Sequence, residues 1–256
     1  MHKALTVLLF IGAAFLASGT AARRNDQPPA NRRNFVACPI VRDTKTLPCW
    51  LAEYEGELYF LGLQGSSASA FYPPQLNHEV LVEGNITNEP RICGGIPLKP
   101  LRISVLPELN RACNTLLPAE NGIEAPATPA QRFTDDMRKP GTDAIQREFT
   151  VPFDFDSDYL TLHTTRIVGE AARVAKAVKA AKIEVQGYRA TTWLSNGGKL
   201  IEDQTIAEKR AKKVGEILVG LGLPAAAVSV NWNGEPEPCD GVTDPDKRRV
   251  TIKIII

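Results

Sequence analysis

Histidine, one-signed charge and long apolar runs are all scarce in this chain. Three histidines occur in 256 residues, and beyond the first few positions only His78 and His163 remain, in different segments. Two isolated imidazoles leave no acid–base pair and no nucleophile held against its base. A Gly-x-Ser-x-Gly elbow is missing as well, because Gly65-Ser66-Ser67-Ala68-Ser69 has the small residues of a turn without that pattern. No Cys-x-x-Cys pair occurs, which argues against zinc. The alternation Asp154, Asp156, Asp158 lacks the glycine and terminal glutamate of a calcium loop, and strand-to-helix capping explains it better. The expectation is a protein that is not an enzyme and needs neither metal nor cofactor. Lysine and arginine number 30 against 29 acidic residues. Such a balance offers no field to attract nucleic acid or an acidic membrane surface.

The longest apolar run, Ala4–Ala17, has 14 residues, short of the roughly 20 that a spanning helix needs. A basic start, Met1-His2-Lys3, precedes it, and the small residues Thr20-Ala21-Ala22 follow, ahead of Arg23 and Arg24. That is the layout of a secretory signal peptide over residues 1–22, cleaved after Ala22. No transmembrane span is expected in what remains. Four of the five cysteines, Cys38, Cys49, Cys93 and Cys113, cluster in one stretch. In an exported chain this implies two disulfides. Three pairings are possible, and proximity along the chain favours Cys38–Cys49 with Cys93–Cys113. Cys239 is left over in a Pro-rich loop.

Residues Arg23–Arg33 are polar and read as a leader. Residues 34–118 hold short apolar runs bounded by turn residues, including Glu57–Leu63, Glu79–Ile86 and Leu101–Leu106. These predict strands, with Glu108–Leu117 closing the unit as a short helix. The expected product is a small β-rich domain, of the OB kind or another compact barrel, stapled by disulfides because so small a core is marginal. An outer-membrane barrel needs more strand-forming length and lipid-facing alternation than this segment has. Residues 119–148 carry Pro126, Pro129 and Pro140 among alanine and polar residues, the composition of a linker.

From 149 onward the pattern changes to a mixed one. A strand over Phe149–Phe155 leads to an amphipathic helix over Asp158–Ala180, whose apolar face is Ile167, Ala171, Val174 and Val178. Asp156 or Ser157 is the expected N-cap. A second strand, Lys182–Tyr188, precedes a helix with Ile206, Val214, Ile217, Leu218 and Leu221 on one side, ended by Gly222 and Pro224. Ala227–Asn231 and Arg249–Ile255 complete the set as strands. The order β-α-β-α-β-β predicts a sheet with both helices on one face, so the chain as a whole is α+β.

Three local patterns give that order a relative. Gly187-Tyr188-Arg189-Ala190 ends the second strand, Ile206-Ala207-Glu208-Lys209-Arg210-Ala211 opens the second helix, and Lys247-Arg248-Arg249-Val250 precedes the last strand. Residues 149–256 thereby resemble the OmpA-like C-terminal domain, whose patterns there are Gly-His-Thr-Asp, Leu-Ser-x-x-Arg-Ala and Asn-Arg-Arg-Val. The resemblance implies a Gram-negative envelope protein, exported to the periplasm and associated with the outer membrane. It also implies non-covalent binding of the peptidoglycan stem peptide, with Arg210 and Arg248 as ligand-binding residues. Arg210 would fork a ligand carboxylate. The family's aspartate, which would accept the ligand ammonium, is replaced by Ala190, so binding is expected to be weakened or altered. Asp203 or Glu202 would supply the missing carboxylate if the long loop Ala190–Leu200 folds back. The alternative is a periplasmic protein–protein scaffold with a degenerate site, its envelope partner held by the N-terminal domain. Trp193 and Trp232 are further candidates for exposed aromatics.

Overall fold

The computed structural model describes residues 28–64, 73–126 and 147–256. The signal peptide, residues 23–27 of the leader, the Gly65–Ser69 turn and most of the linker lie outside the described residues. The N-terminal part is all strand: β1 (Arg32–Ala37), β2 (Pro39–Arg42), β3 (Cys49–Tyr54), β4 (Glu57–Leu63), β5 (His78–Ile86), β6 (Ile96–Leu109) and β7 (Leu116–Leu117). They form one seven-stranded sheet in the order β1-β5-β6-β4-β3-β2-β7. The long strand β6 joins its two halves, pairing antiparallel with β5 and, at Ile96 and Pro97, parallel with β4. Phe35, Trp50, Tyr59, Leu61, Val80, Val82 and Ile103 fill the core, with Phe35 stacked on Tyr54 at 4.6 Å between ring centroids.

Three expectations are corrected here. The disulfides are Cys38–Cys113 and Cys49–Cys93, not the pairs that proximity favoured. Strands β2 and β3 form a hairpin whose register sets Pro39 opposite Ala52 and Arg42 opposite Cys49. Cys38 therefore lies at the far end of that hairpin, about 13 Å along the strand from Cys49, beyond the reach of a disulfide. Glu108–Leu117 is not a helix. Strand β6 continues to Leu109 opposite His78, the chain then turns through Cys113, and Leu116 pairs beside Val41. Tethering Cys113 to Cys38 holds this segment against the sheet, where Leu116 and Leu117 pair as a strand. The leader also ends early, because Arg32 and Arg33 already pair with Asn85 and Gly84.

The C-terminal part follows the expected order: β8 (Glu148–Pro152), α1 (Leu162–Ala177), β9 (Lys182–Gly187), β10 (Thr191–Trp193), β11 (Lys199–Ile201), α2 (Ile206–Gly220), β12 (Val228–Trp232), α3 (Asp244–Lys247) and β13 (Arg249–Ile255). Its main sheet runs β12-β9-β13-β8. Strands β9 and β12 are parallel, as a connection through a helix requires, whereas β13 runs antiparallel to both of its neighbours. Helices α1 and α2 pack on one face, where Val168, Ala171, Ala172, Val174, Val214 and Leu218 meet Val151, Ile183, Val185 and Ile252. Helix α1 starts later than expected. Its N-cap is Thr161, whose side chain accepts the Thr164 N–H at 3.2 Å. Asp156 and Ser157 are committed elsewhere, as described below. Helix α2 ends as the sequence indicates, with Gly222 at φ 88° and its N–H on Val219.

Gly187 sets how near α2 lies to the sheet. A Cβ there would sit 2.2 Å from the Ala207 carbonyl oxygen and 2.9 Å from the Ala211 Cβ. Gly187→Ala is therefore expected to push α2 outward and to destabilise the fold by about 1–3 kcal/mol, read as a lower urea midpoint. A midpoint equal to that of the parent would show that the helix can shift at no cost.

Candidate functional site

Helix α2 seated this close brings Arg210 under the end of β9, where every polar atom of its guanidinium is used. Nε donates to the Ser157 carbonyl at 2.8 Å, Nη1 to Tyr188 O at 3.2 Å and Nη2 to Asp154 O at 2.7 Å. Nη1 and Nη2 also fork the Glu202 carboxylate at 3.1 and 2.5 Å. Those are all five donors an arginine has. The Phe153 ring lies 5.2 Å from Cζ. Arg210 and Glu202 are both 0% exposed as side chains.

Glu202 is equally saturated. Besides Arg210, its Oε1 accepts the Asp156 N–H at 3.0 Å and its Oε2 the Ala190 N–H at 2.8 Å. Four donors fill the carboxylate's acceptor positions. A carboxylate thus lies against the backbone of Ala190. The hairpin of β10 and β11, which Glu202 directly follows, carries it there. Between the two candidates, the structure selects Glu202. Asp203 is exposed and precedes α2, its side chain accepting from the N–H of the N-cap residue Thr205 at 2.8 Å.

The segment 153–157 forms a strap over this pair. Asp156 has φ 48°, the Ser157 N–H turns back to Asp154 O at 3.2 Å, and Asp156 Oδ1 accepts the Asp203 N–H at 2.6 Å. Burial pushes the Asp156 carboxyl above the usual carboxylate range; the Asp203 N–H opposes this, and the nearby Glu202 charge adds to it. These commitments explain why neither Asp156 nor Ser157 caps α1.

Arg248 is placed differently from Arg210. It forks Glu83 of β5, with Nη1 at 3.3 Å from Oε1 and Nη2 on Oε2, and Nη1 also donates to Thr192 Oγ1 at 3.0 Å. The pair is 2% and 0% exposed. Burial alone would lower the Arg248 guanidinium, yet the Glu83 charge and hydrogen bonds hold it above its ordinary value. Its ligand is thus a residue of the β-domain. Asn34 reinforces the same seam: it donates from Nδ2 to Trp193 O at 2.9 Å and to Gly241 O at 2.8 Å, and from its backbone N–H to Ser195 Oγ at 2.9 Å. Arg249 pairs with Glu237 at 2.8 and 2.9 Å across the Tyr188 ring. Lys247 donates to Asp240 and Asp244, both at 3.0 Å.

Sequence reasoning missed Glu83 and Asn34. A glutamate inside an alternating apolar strand, Val80-Leu81-Val82-Glu83, was the one available signal, since such a position is buried and needs a partner. Trp193 is half-buried under Lys199, and Trp232 is 43% exposed beside Lys212. Cys239 is unpaired and half-buried. Among the described residues no group of three or more His, Cys, Asp or Glu is placed to hold a metal. No described helix is long and apolar enough to cross a membrane.

Residues 152–251 match the OmpA family, and the C-terminal part is an OmpA-like domain. A curated relative, an outer membrane protein of Gluconacetobacter diazotrophicus, is 31% identical over 111 residues, which is 41% of this chain and 29% of that protein. The chain thus spans less than a third of that relative's length. Among solved structures, the peptidoglycan-associated lipoprotein from Burkholderia pseudomallei aligns over 41% of this chain and 89% of its own, at 23% identity and a TM-score of 0.35. The C-terminal domain of Helicobacter pylori MotB aligns over 42% and 84%, at 22% identity and a TM-score of 0.32. The OmpA-like domain of FopA1 from Francisella tularensis subsp. tularensis SCHU S4 aligns over 42% and 73%, at 18% identity and a TM-score of 0.32.

Proposed function

We propose that this is an exported, non-enzymatic protein of the Gram-negative envelope, periplasmic and held near the outer membrane, whose OmpA-like domain associates only weakly with peptidoglycan. The OmpA-like domain over 149–256 follows a disulfide-stapled β-domain and a connecting segment over 119–148. Stem-peptide recognition needs an arginine fork open to a carboxylate and an anionic acceptor open to an ammonium. Both groups are present as Arg210 and Glu202, and they are spent on each other. The mutual saturation of this fully buried pair is the observation that carries the reading. A stem peptide would have to replace an internal carboxylate that is already desolvated and bonded four times.

The measurement is co-sedimentation of the mature chain with purified sacculi. Retention is expected to be about ten- to hundredfold weaker than for an OmpA-like domain with an open aspartate–arginine site. Undiminished retention, competed away by free diaminopimelic acid, would sink the weak-association reading. A second reading, a protein–protein scaffold whose envelope partner is held by the β-domain, is favoured by Arg248, whose place is taken by Glu83. Complete absence of retention would decide for it.

A further inference from the structure

The strap over Arg210 is anchored from outside the OmpA-like domain. Its backbone serves the buried pair: Asp154 O and Ser157 O accept from Arg210, and the Asp156 N–H donates to Glu202. Phe155, between them, faces the other way. Its N–H donates to Ser104 Oγ of β6 at 2.8 Å. Its ring is 2% exposed, packed with Leu81 of β5 and Leu106 of β6, and lies 5.8 Å from the Arg248 guanidinium. The residues that close the site and the residue that grips the β-domain therefore alternate along one short stretch of chain. At the start of the strap, the Phe153 N–H donates to the carbonyl of Arg248, the residue that Glu83 holds, at 2.9 Å.

Beside the strap a cleft of about 260 Å³ separates it from the β-domain, lined by His78, Leu106, Pro107, Asp156 and Ser157 among others. The strap is thus not packed along its whole outer side. Phe155 is its anchor to the β-domain, and the cleft gives it somewhere to move. Local openings of this kind are set by the few contacts that hold a segment, independently of global unfolding.

We propose that the β-domain is a built-in clamp, which keeps the Arg210–Glu202 pocket shut by gripping the strap at Phe155. Release of that grip is the step that uncovers Arg210 for a carboxylate-bearing ligand. The inference rests on the reading that the pocket is a peptidoglycan site, but the clamp and the ligand are tested separately.

The experiment uses the full mature chain with Ser104→Ala and, separately, Phe155→Ala. Amide exchange is followed over residues 153–158 and, as a reference, over β9 and β13. Ser104→Ala removes one neutral hydrogen bond and is expected to speed exchange in the strap by about two- to tenfold, with β9 and β13 unchanged. Phe155→Ala should speed it by more than about tenfold. Strap exchange that stays at the parent rate, or rises only in step with β9 and β13, would overturn the clamp. Ser104→Ala keeps the test decisive if Phe155→Ala does not fold. Sacculus retention is then measured on the same variants. Retention that rises with strap opening supports the clamp as the gate to the ligand. Selective opening without any rise in retention would leave the grip on the strap standing and overturn it as the gate to the ligand.

Discussion

Arg210→Ala is expected to lower the unfolding free energy by about 3–5 kcal/mol, the usual result of leaving one partner of a buried ion pair behind. The reasons are specific. Glu202 would keep two N–H donors, from Asp156 and Ala190, and lose the two charged ones. Ser157 O and Tyr188 O would lose their donors at the same time, and Asp154 O would keep only the Ser157 N–H. A double change, Arg210→Met with Glu202→Leu, removes the orphaned charge, and in some proteins such a swap is neutral. Here it is expected to recover only part of the loss, because two carbonyls and two N–H groups remain unpaired. Urea denaturation of the parent, Arg210→Ala and the double variant measures this. A loss under about 1 kcal/mol for Arg210→Ala is the value expected of an exposed cation, and it would show that the pair is open to water after all. The proposed function would then lose the observation that carries it.

Removing the Cys38–Cys113 bridge with Cys38→Ser and Cys113→Ser is expected to destabilise the chain by about 4.5 kcal/mol. The bridge closes a sequence separation of 75 residues, and loop-closure entropy of that length in the unfolded chain gives this magnitude. For Cys49–Cys93, with a separation of 44, the same reasoning gives about 4 kcal/mol. The two bridges act on different parts of the β-domain. Cys49 and Cys93 sit within a small cluster with Ile40 and Leu51. Cys113 holds the turn after β6 and places β7 beside β2. Denaturant midpoints of the two Cys-to-Ser pairs, against the parent without reductant, check the order. Equal stability of parent and variant would mean that the sheet alone holds its ends.

Most helices and strands of the OmpA-like domain were legible because each carries a local signal. The stripe Val214, Leu218 recurs at helical spacing, and Gly222 stops the helix it belongs to. Capping was less legible. Asp156 and Ser157 are good N-cap residues in isolation, yet their backbone is drawn to Glu202 and Arg210, and the cap moves to Thr161. Cysteine pairing was illegible for a related reason, since closeness along the chain says nothing about hairpin register. In the site itself, Arg210 was named from its place in the second-helix pattern, and the return of a carboxylate from Glu202 or Asp203 was left open. Choosing between them required knowing which side of the β10–β11 hairpin faces Ala190.

The sequence alone determined the kind of domain and the number of bridges, and it put an arginine on α2 at Arg210. The tertiary structure decided what that arginine does instead. Pairing of Arg210 with Glu202, and of Arg248 with Glu83, depends on how a buried charge is neutralised, and a charge taken from water accepts whichever partner the fold brings within reach. For Arg248 that partner lies 165 residues away. No local pattern encodes a distance of that kind.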